Sequence, residues 1–169
     1  CIGRKASFSK VPVTIFPRFH QWDAVGRLIG STLEDGAGHN YLVQHSAGSG
    51  KSNTIAWTAH RLANLHDSNN VKVFDKVIVI TDRIVLDDQL GEMIHQFEGV
   101  WGVVKRIDAS GGSKSSNLAD ALTDATSKIV VCTLQTFGFV TDKLRELGAG
   151  MSDKNFAVLV DEAHSSQTG

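Results

Sequence analysis

The sequence has few cysteines, almost no net charge and no long hydrophobic run. It contains two cysteines, and Cys132 lies in an apolar run, which indicates a small buried side chain rather than a disulfide or a nucleophile. The formal net charge of −1 gives no general attraction to nucleic acid, so any such binding must depend on local groups. No apolar run is long enough for a membrane span and no secretory leader is recognisable, which favours the cytoplasm.

What is present fits one soluble globular domain of ordinary size. The chain has 169 residues, of which 41% are hydrophobic and 21% charged. Strand-like and helix-like segments alternate, which predicts an α/β fold with a mainly parallel sheet, helices on both faces and ligands at the carboxyl ends of the strands. The expected strands are 41–44, 76–81, 103–107, 128–132 and 156–160. The expected helices are 19–33, 52–65, 84–97, 117–126 and 137–147.

A glycine-rich segment joins the first expected strand to the helix that follows it. Its residues are Ser46, Ala47, Gly48, Ser49, Gly50, Lys51 and Ser52. The glycines would let the backbone N–H groups curl around a triphosphate at a helix N-terminus. Lys51 would reach the β- and γ-phosphates, and the Ser52 hydroxyl would ligate Mg²⁺. His45 stands where this pattern usually begins with glycine. The alternative is a plain loop between a strand and a helix.

Two carboxylates directly follow the last expected strand. Asp161 and Glu162 end an apolar run, a costly arrangement unless the charges meet a cation or move a proton. Asp161 would hold Mg²⁺ together with Ser52, and Glu162 would orient or deprotonate the attacking water. His164 would couple the ATP site to DNA or to a second lobe. The alternatives are an exposed acidic strand end and, for His164, a cap on that end.

Gln21 lies in a segment that resembles the adenine-reading element of superfamily 2 helicases, Pro17-Arg18-Phe19-His20-Gln21. The resemblance implies that the Gln21 amide pairs with the edge of the base. The alternative is an ordinary helix start.

Two strand-to-helix turns resemble the segments with which double-strand translocases of that superfamily contact the DNA backbone. The first contains Thr81 and Arg83, and the second contains Thr133 and Thr136. Helix N-terminal N–H groups with Arg83 could hold a phosphate. Ile84 stands where a second basic residue is expected, and simple helix capping is the alternative at both turns.

From about Phe16 onward, the chain resembles the first motor lobe of the restriction (R) subunit of type I restriction-modification enzymes. The carriers are the segments 16–21, 38–52, 79–83 and 161–167. The resemblance implies a RecA-like P-loop domain that binds ATP and Mg²⁺ and couples ATP hydrolysis to translocation of double-stranded DNA. The implied partners are a second RecA-like lobe and the specificity and methyltransferase subunits.

The same resemblance predicts how the chain is organised. Residues 1–15 would be an upstream linker, and residues 16–169 an incomplete lobe, with little activity expected from the fragment alone. No nuclease core can be placed, so DNA cleavage is not expected from these residues. The alternatives are another superfamily 2 ATPase, such as a type III restriction subunit or a stand-alone helicase, and an ATP-dependent switch or assembly module without motor activity. Glu162 argues against a pure switch, which needs no hydrolytic base.

Overall fold

The computed structural model describes residues 16–81, 94, 104–107, 120–138 and 153–161. Its elements, in chain order, are the helices α1 (Phe19–Asp35) and α2 (Lys51–Ala63) and the strands β1 (Lys76–Thr81), β2 (Val104–Arg106), β3 (Ile129–Thr133) and β4 (Phe156–Val160). Shorter helical stretches cover residues 120–123 and 134–138. Within the described part of the chain, no helix is both long and apolar enough to cross a membrane.

The strands form one parallel sheet in the order β2-β3-β1-β4. All six residues of the central strand β1 are buried, as are all five of β3. Continuous β-branched runs of this kind are typical of strands that are covered on both faces. Because β1 and β4 are parallel neighbours, the carboxyl ends of β1, β3 and β4 lie at the same edge of the sheet.

Side chains of β1 alternate between two apolar cores. Val77 and Val79 face the core that includes Ala56, Ala59 and Leu62 of α2. The residues between them in the strand, Ile78 and Ile80, belong to a second core on the other face, to which the helical stretch 120–123 contributes Ala121 and Leu122. Helices therefore cover both faces of the sheet, and the predicted α/β fold is confirmed.

Helix α1 packs mainly on α2, and Ile29 joins the core that lies between α2 and the sheet. Its first turn is closed by Gln21, whose side-chain oxygen accepts a hydrogen bond from the Arg18 backbone N–H at 2.8 Å. It ends at Asp35 and is capped by Gly36, whose φ of +78° is in the left-handed region that favours glycine. The helix is two residues longer than the expected 19–33.

The prediction of a strand at residues 41–44 was wrong. These residues have no regular secondary structure, and Leu42 is 87% exposed. An apolar run favours burial, but it becomes a strand only through hydrogen bonds to a neighbouring strand. Among the described residues, no strand lies beside this run. Of the other four expected strands, 76–81 and 156–160 are confirmed with the same bounds, 128–132 is shifted by one residue, and 104–106 is observed where 103–107 was expected. The expected helix 84–97, apart from residue 94, and residues 139–147 fall outside the described residues.

A buried lysine fixes the helical stretch 120–123 to the amino end of the sheet. The Lys76 ammonium donates hydrogen bonds to the backbone carbonyls of Ala121 at 2.8 Å and Ser127 at 2.7 Å, and also to that of Asp124. Burial lowers the pKa of Lys76, and the Asp124 carboxylate offsets part of this shift because a nearby negative charge favours the ammonium. The cation therefore satisfies carbonyls that the end of a helix leaves without partners.

Candidate functional site

The glycine-rich segment forms a tight curl immediately before α2. The Ser49 N–H donates to the Ser46 carbonyl at 3.2 Å. Gly48 and Gly50 have φ angles of +72° and +84°, which other residues adopt only with strain. Gly50 is also the N-cap of α2, and its carbonyl accepts hydrogen bonds from backbone N–H groups of the first turn. Lys51 therefore begins the helix beside the curl.

The α2 N-terminus offers an electrostatic environment that suits an anion. Its first turn contains no acidic residue. Backbone N–H groups without helical partners and the aligned peptide dipoles give this end positive potential. A Cβ built at Gly48 would meet nothing within 4 Å, so the space beside this part of the curl is open. The curl thus has the open space and the potential that polyphosphate binding requires.

Lys51 of the glycine-rich segment 46–52, which is called the P-loop below, contacts the aspartate that follows β4. The Lys51 Nζ lies 2.9 Å from Asp161 Oδ1, and the Asp161 side chain is 5% exposed. The Asp161 N–H donates to the Ile80 carbonyl at 2.9 Å, which continues the pairing of β4 with β1. The fold therefore brings together two site residues that the sequence predicted from distant segments. Ser52 lies next to Lys51 in the first turn of α2.

Gln21 is bonded to the P-loop instead of facing an open pocket. It is 3% exposed, and its amide nitrogen donates to the carbonyls of Ser49 at 3.2 Å and Gly50 at 3.0 Å. The neighbouring His20 ring donates through Nε2 to the same Ser49 carbonyl at 3.1 Å. Two consecutive residues of α1 therefore contact two consecutive residues of the P-loop. No local sequence pattern predicts these contacts, because the Gln21 contacts join residues that are 28 and 29 positions apart.

His45, the residue in place of the usual first glycine, packs against the same loop. Its Nδ1 lies 3.2 Å from the Ser49 hydroxyl, and its ring meets the His20 ring edge-on at 6.1 Å. Burial, followed by the nearby His20 and Lys51, lowers the pKa of His45. Its Nε2 is buried without a hydrogen-bond partner among the described residues. A cavity of about 240 Å³ opens beside it, bounded by His20, Ala24, Gln44, His45, Ser46 and Ser49.

The three threonines expected to contact DNA are buried in the structure. Thr81 is 0% exposed, Thr133 7% and Thr136 2%. The Thr133 and Thr136 hydroxyls lie 2.9 Å apart, and the Thr136 N–H donates to the Thr133 hydroxyl oxygen at 3.3 Å. These are the contacts of a helix cap, the alternative given above for this turn. Their part in DNA binding stays a prediction.

Arg83, Glu162 and His164 lie outside the described residues. Their predicted roles in DNA contact, water activation and coupling stay predictions. Of the predicted nucleotide-site residues, the structure describes Gln21, Ser46 to Ser52 and Asp161. Gln21 contacts Ser49 and Gly50, and Lys51, the next residue along the chain, contacts Asp161.

A parallel sheet, a P-loop at the start of a helix and an aspartate at the end of a neighbouring strand together define a RecA-like α/β domain. The chain belongs to the SWI2/SNF2 ATPase family, whose sequence pattern matches residues 20–169. No curated protein shows significant sequence similarity to it.

A solved structure has a similar fold. It is described as a nuclease-deletion mutant of the type ISP restriction-modification enzyme LlaGI in complex with a DNA substrate mimic. The match has a TM-score of 0.58 and 18% sequence identity, and it covers 87% of this chain. The chain spans 15% of the length of that protein. At this identity the likeness shows the fold alone.

Proposed function

We propose that this chain binds ATP with Mg²⁺ and forms the first lobe of a motor that couples ATP hydrolysis to translocation along double-stranded DNA. Its family membership supports an ATPase motor of superfamily 2. The observation that carries the nucleotide site is the contact of Lys51 with Asp161 beside the P-loop curl. A nucleotide–metal complex requires a lysine that can pair with phosphate and a carboxylate that can ligate the metal, and this contact brings two such side chains together.

The residues would divide the work as follows. Lys51 would exchange its Asp161 partner for phosphate oxygens, and Asp161, thus released, would ligate Mg²⁺ together with Ser52. Backbone N–H groups of residues 46–50 would donate to the phosphates. ATP supplies the phosphoryl group, and bound Mg²⁺ neutralises its charge. Glu162 would orient the attacking water, and His164 would relay the state of the site to DNA or to a second lobe.

The finer proposal is that the motor belongs to a type I restriction enzyme. It rests on the sequence carriers given above, and the fold shared with a restriction-modification enzyme supports it. Its partners would be double-stranded DNA, a second RecA-like lobe, and specificity and methyltransferase subunits. Thr81, Arg83, Thr133 and Thr136 would lie nearest the DNA backbone. Burial of the three threonines leaves Arg83 as the residue of this set that we expect to dominate phosphate contact.

Nucleotide titration tests the site. We expect the chain to bind ATP or ADP weakly with Mg²⁺. Lys51→Ala should abolish this binding, because it removes the positive side chain that would pair with the phosphates. Lys128→Ala is a matched control, since Lys128 precedes β3 at the opposite edge of the sheet and contacts Asn64. Equal affinities of the wild-type and Lys51→Ala proteins would refute the assignment of the lysine.

A further inference from the structure

The hydrogen-bonding capacity of the Gln21 amide is taken up by main-chain groups. A glutamine amide carries two N–H donors and one carbonyl oxygen. The two donors meet the Ser49 and Gly50 carbonyls, and the oxygen meets the Arg18 N–H. The side chain is 3% exposed. Pairing with a purine edge would require the amide to give up its hydrogen bonds to both P-loop carbonyls, after which the Ser49 carbonyl would keep His20 and the Gly50 carbonyl would keep the N–H groups of Asn53 and Thr54.

Gln21 is also packed tightly against the loop. A Cβ built at Gly50 would lie 2.5 Å from the Gln21 amide nitrogen, a distance that atoms do not tolerate. Gly50 has no Cβ, which lets the amide approach the backbone this closely. The absence of a side chain at Gly50 therefore makes room for the Gln21 amide, whether or not a ligand is bound.

This contact sets the direction of the peptide groups in the phosphate cradle. In a trans peptide, the carbonyl and the N–H point in opposite directions. No cis peptide bond occurs among the described residues. Because the Ser49 and Gly50 carbonyls face Gln21, the N–H groups of Gly50 and Lys51 point away from Gln21. A cradle for anions needs this common orientation of successive N–H groups.

We propose that Gln21 is a positioning residue for the phosphate cradle. By holding the Ser49 and Gly50 carbonyls, it fixes the orientation of the N–H groups that receive the polyphosphate, with His20 as a second support on Ser49. This inference rests on the proposed ATP site. It predicts that Gln21 contributes to the affinity for any polyphosphate, with or without a base.

Titration with three ligands tests this role in the 169-residue chain. The ligands are ATP, GTP and inorganic tripolyphosphate, each with Mg²⁺, and the variants are Gln21→Met, which keeps the side-chain volume, and Gln21→Ala. We expect each folded variant to weaken binding of all three ligands by the same factor, about tenfold, with an unchanged ratio of ATP to GTP affinity. Gln135→Met is the matched control, because Gln135 is exposed and lies outside the contacts of the P-loop.

Each other outcome decides against the inference. A loss confined to ATP, with tripolyphosphate affinity unchanged, would make Gln21 a base reader. Unchanged affinity for all three ligands would make its contacts with the P-loop irrelevant to binding. Thermal unfolding by circular dichroism identifies which variants remain folded, and either one is sufficient for the comparison. Absence of binding of any ligand by the wild-type chain would instead refute the proposed function itself.

Discussion

At the scale of single residues, the site combines Lys51 and His45 from one segment with Asp161 from a distant part of the sequence. Lys51 and Asp161 contact each other at 2.9 Å, and His45 contacts the P-loop through the Ser49 hydroxyl. In this arrangement Lys51 compensates the buried charge of Asp161. Ligand binding therefore has to exchange partners, so removal of Asp161 has two opposing effects. It frees Lys51 for phosphate, and it removes a metal ligand.

We expect Asp161→Asn to abolish the dependence of nucleotide affinity on Mg²⁺. The amide keeps the side-chain shape but lacks the charge that a divalent cation needs. ATP affinity would be measured with Mg²⁺ and with a chelator, and the wild-type ratio should fall to near one in the variant. Asp23→Asn is the control, since Asp23 forms an exposed pair with Arg27 on α1. An Mg²⁺ effect of wild-type size in Asp161→Asn would contradict the metal role.

The lowered pKa of His45 predicts a pH dependence of stability. The unfolded chain takes up a proton near the ordinary histidine pKa, whereas the folded chain does so only at lower pH. Stability from this group is therefore fully present above pH 6.5 and is lost as pH falls below it. Urea unfolding at several pH values should show that the free energy of unfolding falls less at acid pH in His45→Gln than in the wild type. His39→Gln, at an exposed position, is the control, and equal pH profiles for His45→Gln and wild type would contradict the prediction.

At the scale of elements, Lys76 connects β1 to the helical stretch on the opposite face from α2. We expect Lys76→Met to lower the free energy of unfolding by about 1–3 kcal/mol, because it removes the ammonium donor from the Ser127 and Asp124 carbonyls and leaves the Ala121 carbonyl with the Ser127 hydroxyl. Chemical denaturation measures this difference. Lys72→Met is the control, since the Lys72 ammonium donates to the exposed Asp75 carbonyl. A loss no larger in Lys76→Met than in the control would show that the carbonyls find other partners.

The elements also show what a sequence can and cannot predict here. β1 and β3 were predictable, because an uninterrupted apolar, β-branched run is typical of a buried parallel strand. The same pattern predicted β4, although Ala157 is its only buried residue. The run 41–44 is also apolar, but it has no neighbouring strand among the described residues. Whether a neighbouring strand is available cannot be predicted from the residues of the run alone. The P-loop and Asp161 were predictable from local patterns, whereas the Gln21 contact depends on how α1 packs on α2.

At the scale of the whole molecule, the proposed motor depends on more than these 169 residues. Hydrolysis in two-lobed motors needs an arginine that the second lobe donates across the cleft, worth roughly 10³–10⁵ in rate. If residues 16–169 form the first lobe, as we propose, this arginine would come from another segment or subunit. Nucleotide binding and turnover should therefore separate, with binding retained by the chain and turnover requiring the assembly.

Phosphate release tests the motor assignment most directly. The samples are the 169-residue chain, the full-length subunit assembled with its partners, and that assembly carrying Glu162→Gln, each with and without duplex DNA. We expect at most trace hydrolysis and no DNA stimulation from the chain, strong DNA stimulation from the assembly, and nucleotide binding without turnover from the Glu162→Gln assembly, because it lacks only the water-activating carboxylate. Robust DNA-stimulated hydrolysis by the chain alone would contradict the two-lobe proposal, and unimpaired hydrolysis by the Glu162→Gln assembly would contradict the role of Glu162.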